Sequence, residues 1–229
     1  MKPLYIIPAR GGSKGIPRKN IKPLGGSPLI CHSIRCAIET WAVYGGYIVV
    51  STEDAEIADT ARSCGIDVEY TRPASLATDT ASSRDVMLDV MEWAEARGLD
   101  YDCVVLLQPT SPLRTAADVS AAIDMYDPTL DMVVSVCEAD DNPYYNLFEQ
   151  DAEGNLHVCK GPGTYTRRQD APPVMKYNGA VYVINPESLR RCGLGEFACR
   201  VAYVMPKSRS IDLDTPEDWV RAEQIFAKL

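Results

Sequence analysis

Short runs of nearly continuous apolar residues recur along the chain: Leu4–Pro8 (LYIIP), Tyr47–Ser51 (YIVVS), Cys103–Leu107 (CVVLL), Met132–Val136 (MVVSV) and Ala180–Asn185 (AVYVIN). They are too short for helices and too uniformly apolar for a sheet with one wet face, so they read as strands buried on both sides. Between them lie segments of helical spacing. Pro28–Trp41 repeats Leu29, Ile30, Ile34, Ala37, Ile38 and Trp41; Asp54–Cys64 closes on Gly65; Ser82–Arg97 ends at Gly98; Ala116–Tyr126 follows. Buried strands alternating with helices mean repeated βαβ units, so the expected fold class is α/β, a mainly parallel sheet with helices on both faces. A short strand is expected at Val68–Tyr70, a helix near Pro186–Cys192 and a strand at Val201–Met205. Ser27 fits an N-cap ahead of Pro28 at N1. Thr215, Pro216 and Asp218 outline a near capping box for a last helix with Trp219, Ala222, Ile225, Phe226 and Leu229 as its stripe.

A chain of 229 residues suits one domain, 1–229. From Glu138 the rhythm breaks: residues 138–178 hold Pro143, Pro162, Pro172, Pro173, Gly154, Gly161 and Gly163 with no helical period. This reads as an inserted loop-and-hairpin excursion, serving as a substrate lid or an oligomer contact.

The cysteines, Cys31, Cys36, Cys64, Cys103, Cys137, Cys159, Cys192 and Cys199, form no CxxC pair and several sit in apolar segments. Reduced structural thiols are expected. His32 and His157, the only histidines, fall in a helix and near a strand end, which leaves His-based triads and His-rich metal sites without material. No apolar run approaches the roughly 20 residues of a membrane span, and the N-terminal apolar run is too short for a secretory signal. A cytoplasmic protein without membrane contact is the expectation.

Charge gives the first functional clue. Residues 1–38 carry Lys2, Arg10, Lys14, Arg18, Lys19, Lys22 and Arg35 with no acid, in a chain of net charge −9. An acidic body with one basic loop excludes the broad positive field of a nucleic-acid binder and suits a small polyanion. In open α/β sheets ligands bind outside the carboxyl ends of the strands, so Pro8–Gly26, Arg72–Ser83 and Gln108–Arg114 outline the expected cleft.

The segment from Pro8 to Asn20 (PARGGSKGIPRKN) places Gly11, Gly12 and Gly15 among Arg10, Lys14 and Lys19. Glycines that reach positive φ would form an anion-binding nest directly after the first strand. The spacing matches neither a P-loop nor a dinucleotide fingerprint. In Ser210–Thr215 (SIDLDT), Asp212 and Asp214 share one side of an extended segment and suit Mg²⁺, or else favour the dipole of the helix that follows. Gln108–Arg114 offers an amide and hydroxyls held by prolines, Arg72–Ser83 is rich in hydroxyls, and Arg167–Pro172 with Lys176–Ala180 forms a second basic cluster suited to a sugar carboxylate.

Together ARGGSKGIPRKN, RPASLATDTASS, LLQPTSPLR, NGAVYVI and SIDLDTPED resemble the acylneuraminate cytidylyltransferase family, the CMP-sialic acid synthetases and their nonulosonate-activating relatives, from residue 4 to about 226. The resemblance implies a Rossmann-like nucleotidyltransferase fold, Mg²⁺ as cofactor and a homodimer built around 138–178. It implies that Arg10, Ser13, Lys14, Lys19 and Asn20 handle the phosphates of CTP, and that Arg72 and Ser83 read the cytidine. Gln108, Arg168, Asn178 and Tyr182 approach the sugar acid, and Asp212 and Asp214 hold the metal. The sugar's 2-hydroxyl then attacks the α-phosphate and expels pyrophosphate, with Asp212 assisting deprotonation directly or through a metal-bound water. The sialic acid pattern has Arg-Pro where this chain has Lys176-Tyr177, and Lys where it has Tyr145. Both departures fall where the acyl sugar is expected. A transferase for 3-deoxy-manno-octulosonate or a sugar phosphate, and a non-catalytic nucleotide-binding protein, are the competing readings.

Overall fold

The computed structural model describes residues 1–228. In chain order the elements are β1 (Pro3–Pro8), β2 (Pro23–Leu24), β3 (Ser27–Pro28), α1 (Leu29–Tyr44), β4 (Tyr47–Ser51), α2 (Ala55–Ser63), α3 (Ser83–Glu95), β5 (Cys103–Leu106), α4 (Ala116–Asp124), β6 (Met132–Glu138), β7 (Phe148–Gln150), β8 (Leu156–Val158), β9 (Met175–Ile184), α5 (Pro186–Arg191), β10 (Arg200–Val204) and α6 (Pro216–Phe226). The central sheet runs β10-β6-β9-β5-β1-β4. β4, β1 and β5 are mutually parallel, as are β6 and β10. β9 lies antiparallel between β5 and β6. It returns from the excursion rather than through a crossover helix, and a reversed strand is what such a return permits.

Alternate residues of each strand feed opposite faces. Tyr5, Ile7, Val50, Val105, Val133 and Val183 meet Ile30, Ile34 and Ile57 of α1 and α2, with Val119 and Ile123 of α4. Leu4, Ile6, Val104, Leu106, Val134 and Ile184 meet Met87, Val90 and Met91 of α3 and Leu189 of α5. Helices therefore cover both faces, as expected. A third cluster, Ile16, Leu24, Leu29, Leu113, Ile211, Leu213, Trp219 and Ala222, fastens the basic loop, α6 and the aspartate segment together at one end.

Several local expectations are corrected. Val68–Tyr70 forms no strand; Tyr70 is buried by its ring and its hydroxyl donates to Asp89. Ser27 is not an N-cap: a Gly25–Gly26 turn at positive φ pairs Ser27 with Leu24, and Pro28 itself stands at the α1 N-cap without a side-chain cap. At α6 the capping box is complete, the Thr215 hydroxyl accepting from the Asp218 amide and the Asp218 carboxylate from the Thr215 amide. Leu229 lies outside the described residues. Cys31 and Cys64, expected as free thiols, form a disulfide with a Cα separation of 5.9 Å. They are 33 residues apart, and only the packing of α1 beside α2 brings them together. The other six cysteines are free.

The turn after β5 is held by Arg114, which is 4% exposed. Its guanidinium donates to the Gln108 carbonyl at 3.1 Å, to the Ala180 carbonyl and to the Ser33 hydroxyl, joining the β5 turn to β9 and α1. These partners are neutral, and burial pulls the guanidinium pKa down from its usual value. Arg114→Leu strands three buried acceptors, so it is expected to cost about 3 kcal/mol or more of stability in urea unfolding. Arg114→Lys recovers only part of this, because an ammonium lacks the planar fork.

Candidate active site

The basic loop leaves β1 with the Ala9 amide donating to the Ser51 carbonyl at 2.9 Å. Gly11, Gly12 and Gly15 do not adopt positive φ, contrary to the nest expected from sequence. Close approach is what Gly11 and Gly15 provide. A Cβ on Gly15 would stand 2.1 Å from the Asp214 carbonyl oxygen, and one on Gly11 2.5 Å from an Asp54 carboxylate oxygen. The left-handed residue is Arg18, at φ 52°, whose guanidinium binds Asp54 and Glu56 at the start of α2. The Gly11 amide donates to Glu53 at 2.7 Å. The loop is thus clamped to α2 on one side and to the aspartate segment on the other.

Lys19 makes the second clamp. Its ammonium is 2.6 Å from the Leu213 carbonyl and 3.6 Å from the Asp214 carboxylate. The Leu213 amide donates to the Thr110 carbonyl at 2.9 Å, so the Gln108–Arg114 turn completes a three-way junction. Asn20, nearly buried, donates to the Arg10 carbonyl at 2.9 Å.

A cavity of about 310 Å³ opens at this junction, at the carboxyl ends of β1 and β5, lined by Arg10, Ser13, Lys19, Asn20, Arg72, Ser83, Gln108 and Thr110. Arg72 is 5% exposed; its guanidinium donates to the Ser51 hydroxyl at 2.9 Å and carbonyl at 2.7 Å, and burial lowers its pKa. Ser83 is the first residue of α3, whose N-cap is Ser82. Lys14 stands at the mouth, paired with Asp79 at 2.6 Å, while Arg10 holds the same carboxylate at 2.8 Å. A larger cavity of about 480 Å³ runs along β4 between Trp41, Tyr47, Trp93 and Leu99, and none of the polar motif residues reaches it.

Asp212 adjoins the cavity residues at Gly179, where a Cβ would lie 3.0 Å from the Gln108 amide oxygen and 3.4 Å from an Asp212 carboxylate oxygen. Gly179 has φ +73°, so this approach requires glycine on both counts. Asp212 remains exposed at the surface, yet the neighbouring atoms strip part of its hydration and raise its pKa; Thr110 opposes this, the charge of Asp214 adds to it, and Lys19 opposes it. Tyr182 is close by, its hydroxyl pushed up to about 12 by burial and then by the charges of Asp212 and Tyr177. Its ring meets Tyr177 edge-on with centroids 6.2 Å apart.

Asp214 is largely exposed. The two carboxylates flank the carbonyl that Lys19 binds. Among the described residues no group of three or more His, Cys, Asp or Glu is arranged to hold a metal ion. Hard oxygen donors in a pair, one of them destabilised by its like-charged neighbour, fit Mg²⁺ when ligand phosphates supply further oxygens.

Other expected site residues lie elsewhere. Asn178 is 3% exposed and its amide is engaged internally, accepting from the Ser135 hydroxyl at 2.6 Å and donating to the Ser210 hydroxyl at 2.9 Å. Arg168 is exposed in the excursion, donating to the Ala139 carbonyl at 2.6 Å. Lys176 points to Asp140 at 3.5 Å and shares with Lys207 a separate small cavity of about 130 Å³. His32 faces the Leu24 carbonyl at 3.0 Å and burial lowers its pKa, while His157 pairs with Asp151 away from the cavity. Sequence reasoning missed Asp79, Thr110 and Glu53. Asp79 and Thr110 were within quoted motifs, but nothing in their spacing indicated which partner they would meet.

The chain matches the family model described as cytidylyltransferase over residues 4–200. It is 33% identical over 230 residues to a CMP-N,N'-diacetyllegionaminic acid synthase of Legionella pneumophila, covering 99% of this chain and 97% of the relative. It is 37% identical over 221 residues to an N-acylneuraminate cytidylyltransferase of Streptococcus agalactiae, covering 96% of this chain but spanning only 52% of that longer relative. A pseudaminic acid cytidylyltransferase of Campylobacter jejuni is 28% identical over 226 residues, with 99% and 97% coverage. Among solved structures, a CMP:2-keto-3-deoxy-manno-octonic acid synthetase complexed with CTP superposes with a TM-score of 0.71 at 19% identity, over 100% of this chain and 99% of that one. That likeness shows a shared fold. The sheet, the basic loop after β1 and the family match lead to one conclusion: the chain belongs to the cytidylyltransferase family of nucleotidyltransferases.

Proposed function

We propose that the protein transfers the cytidylyl group of CTP to the 2-hydroxyl of a nonulosonic acid, giving a CMP-sugar and pyrophosphate. The observation that carries this is the junction made by Lys19: the basic loop, the Gln108 turn and the Asp212–Asp214 segment meet at one polar cavity. The curated relatives are named for legionaminic, neuraminic and pseudaminic acids, which supports the acceptor class.

Phosphoryl-group transfer requires alignment and charge neutralisation more than a covalent nucleophile. Arg10, Lys14 and Lys19 bind the phosphate chain, with Ser13 and Asn20 beside them. Arg72 is already fixed by Ser51, so it presents a rigid edge to the cytidine beside Ser83. Gln108 orients the sugar acid beside Tyr182. Asp212 accepts the proton of the attacking hydroxyl, directly or through a water. Asp212 and Asp214 would hold Mg²⁺, which supplies charge neutralisation on the phosphates when bound. Lys19 sits against the backbone between those aspartates and stabilises the charge that develops toward pyrophosphate. Arg168 stands in the excursion outside the cavity lining, and Asn178 serves the sugar side only indirectly, by holding β9 in register through Ser135.

The exposed hairpin β7–β8 within 138–178 presents Leu147, Phe148 and Leu156, which supports its assignment as the homodimer contact. No helix among the described residues is long and apolar enough to cross a membrane.

Four outcomes test the proposal. With CTP, Mg²⁺ and a panel of sugar acids, pyrophosphate release is expected with a nonulosonic acid and not with sugar phosphates; release with 3-deoxy-manno-octulosonate alone would move the assignment to that acceptor. Lys176 turns away to Asp140, but Tyr145 and Tyr177, whose ring meets Tyr182, lead us to expect better catalytic efficiency on the deaminated sugar KDN or on legionaminate than on N-acetylneuraminate. Lys19→Ala is expected to lower kcat by about 30-fold or more, equivalent to about 2 kcal/mol of transition-state stabilisation. Asp212→Asn and Asp214→Asn should each nearly abolish turnover at limiting Mg²⁺ while circular dichroism stays unchanged, since amides are poor Mg²⁺ ligands. Full activity in both would reduce the pair to charges favouring the α6 dipole.

A further inference from the structure

The segment between Arg72 and α3 is tied at both ends. The Arg72 amide donates to the Thr52 carbonyl at 2.9 Å, and Ser82 caps α3. Its tip, Thr78–Thr80, reaches the rest of the chain through one set of polar contacts among the described residues. An Arg10 guanidinium nitrogen donates to the Thr78 carbonyl at 2.8 Å. The opposite oxygens of the Asp79 carboxylate lie 2.8 Å from Arg10 and 2.6 Å from Lys14. Both Thr78 and Asp79 line the cavity. Asp79 is therefore an anion already seated on two of the cations that the phosphate chain requires.

We propose that Asp79 is a built-in competitor for the phosphate chain. It holds Arg10 and Lys14 together across the mouth of the cavity, yields them to the incoming triphosphate, and recaptures them as pyrophosphate departs. This rests on the cytidylyltransferase reading and deepens it. The carboxylate carries one negative charge and a triphosphate several, so the exchange favours the longer polyanion. A monophosphate, with less charge to offer, displaces Asp79 less readily. The tip is exposed and held by the Arg10 and Lys14 side chains rather than by a strand, which leaves it free to move without disturbing the sheet.

The test is calorimetric titration of the metal-free protein with inorganic tripolyphosphate, comparing wild type with Asp79→Asn. Exposed ion pairs are individually weak, so releasing two cations is expected to tighten binding about threefold to tenfold. The gain should disappear in an Arg10→Ala/Lys14→Ala background. Glu56→Gln removes the same charge beside Arg18 and should give no comparable gain. Equal or weaker binding by Asp79→Asn overturns the proposal, as does failure of both proteins to bind. A gain that survives loss of both cations, or one matched by Glu56→Gln, overturns it too. Tripolyphosphate contains neither base nor sugar, so these results judge Asp79, whereas pyrophosphate release with CTP and a sugar acid judges the transferase reading.

Discussion

An ammonium group removed from water needs oxygen partners, and at Lys19 they come from the far end of the chain. Its side chain is 13% exposed, and its bond to the Leu213 carbonyl joins positions 194 residues apart. The carbonyl lies between Asp212 and Asp214, so one contact sets where both carboxylates stand relative to the basic loop. Apolar packing beneath supports it: Ile16 of the loop, Leu213 between the aspartates and Trp219 of α6 share one cluster. Lys22 lies over the Trp219 ring at 4.3 Å, adding a cation–π contact to the same corner. Without this corner the two ends of the sequence would have no reason to meet.

The cations around the cavity divide by their surroundings. Arg72 and Arg114 are buried and bind carbonyls and hydroxyls rather than carboxylates. They keep their charge in a poorly solvated place, and the planar fork makes each a rigid bracket. Arg10 and Lys14 reach solvent and pair with a carboxylate that can leave. The first kind fixes geometry before a ligand arrives; the second kind responds to it. Catalysis by charge stabilisation draws most on the first kind, because donors that reorganise during the reaction contribute less than donors already in place.

The sheet was legible because continuous Val, Ile and Leu in short runs has few other uses. The buried strands and the two helical layers follow from it, whereas the place of β1 between β4 and β5 is set by the pairing of the sheet. Residues 65–71 misled because Val68 and Tyr70 alternate with polar residues as an edge strand would, whereas the Tyr70 side chain is anchored to Asp89 and the Arg72 backbone to Thr52. The glycines of the basic loop were legible as necessary but for the wrong reason. Backbone freedom is a local property that sequence suggests readily; the approach of the Asp214 carbonyl to Gly15 is a contact across the whole fold. The Cys31–Cys64 disulfide escaped for the same reason, since neither cysteine lies in a recognisable pairing motif.

By itself the sequence determined the alternation of strands and helices, the basic loop after the first strand, the paired aspartates ahead of the last helix and, through its motifs, the family. These are local patterns of hydrophobicity, charge and turn chemistry, and they persist in the chain whatever its neighbours do. Only the tertiary structure decided that β9 runs antiparallel, that Lys19 binds between the two aspartates, that Arg114 holds the Gln108 turn, and that Asp79 rather than open solvent faces Arg10 and Lys14. Each of these joins residues far apart in sequence. Which distant groups become partners depends on how the layers pack and which polar atoms are left needing one.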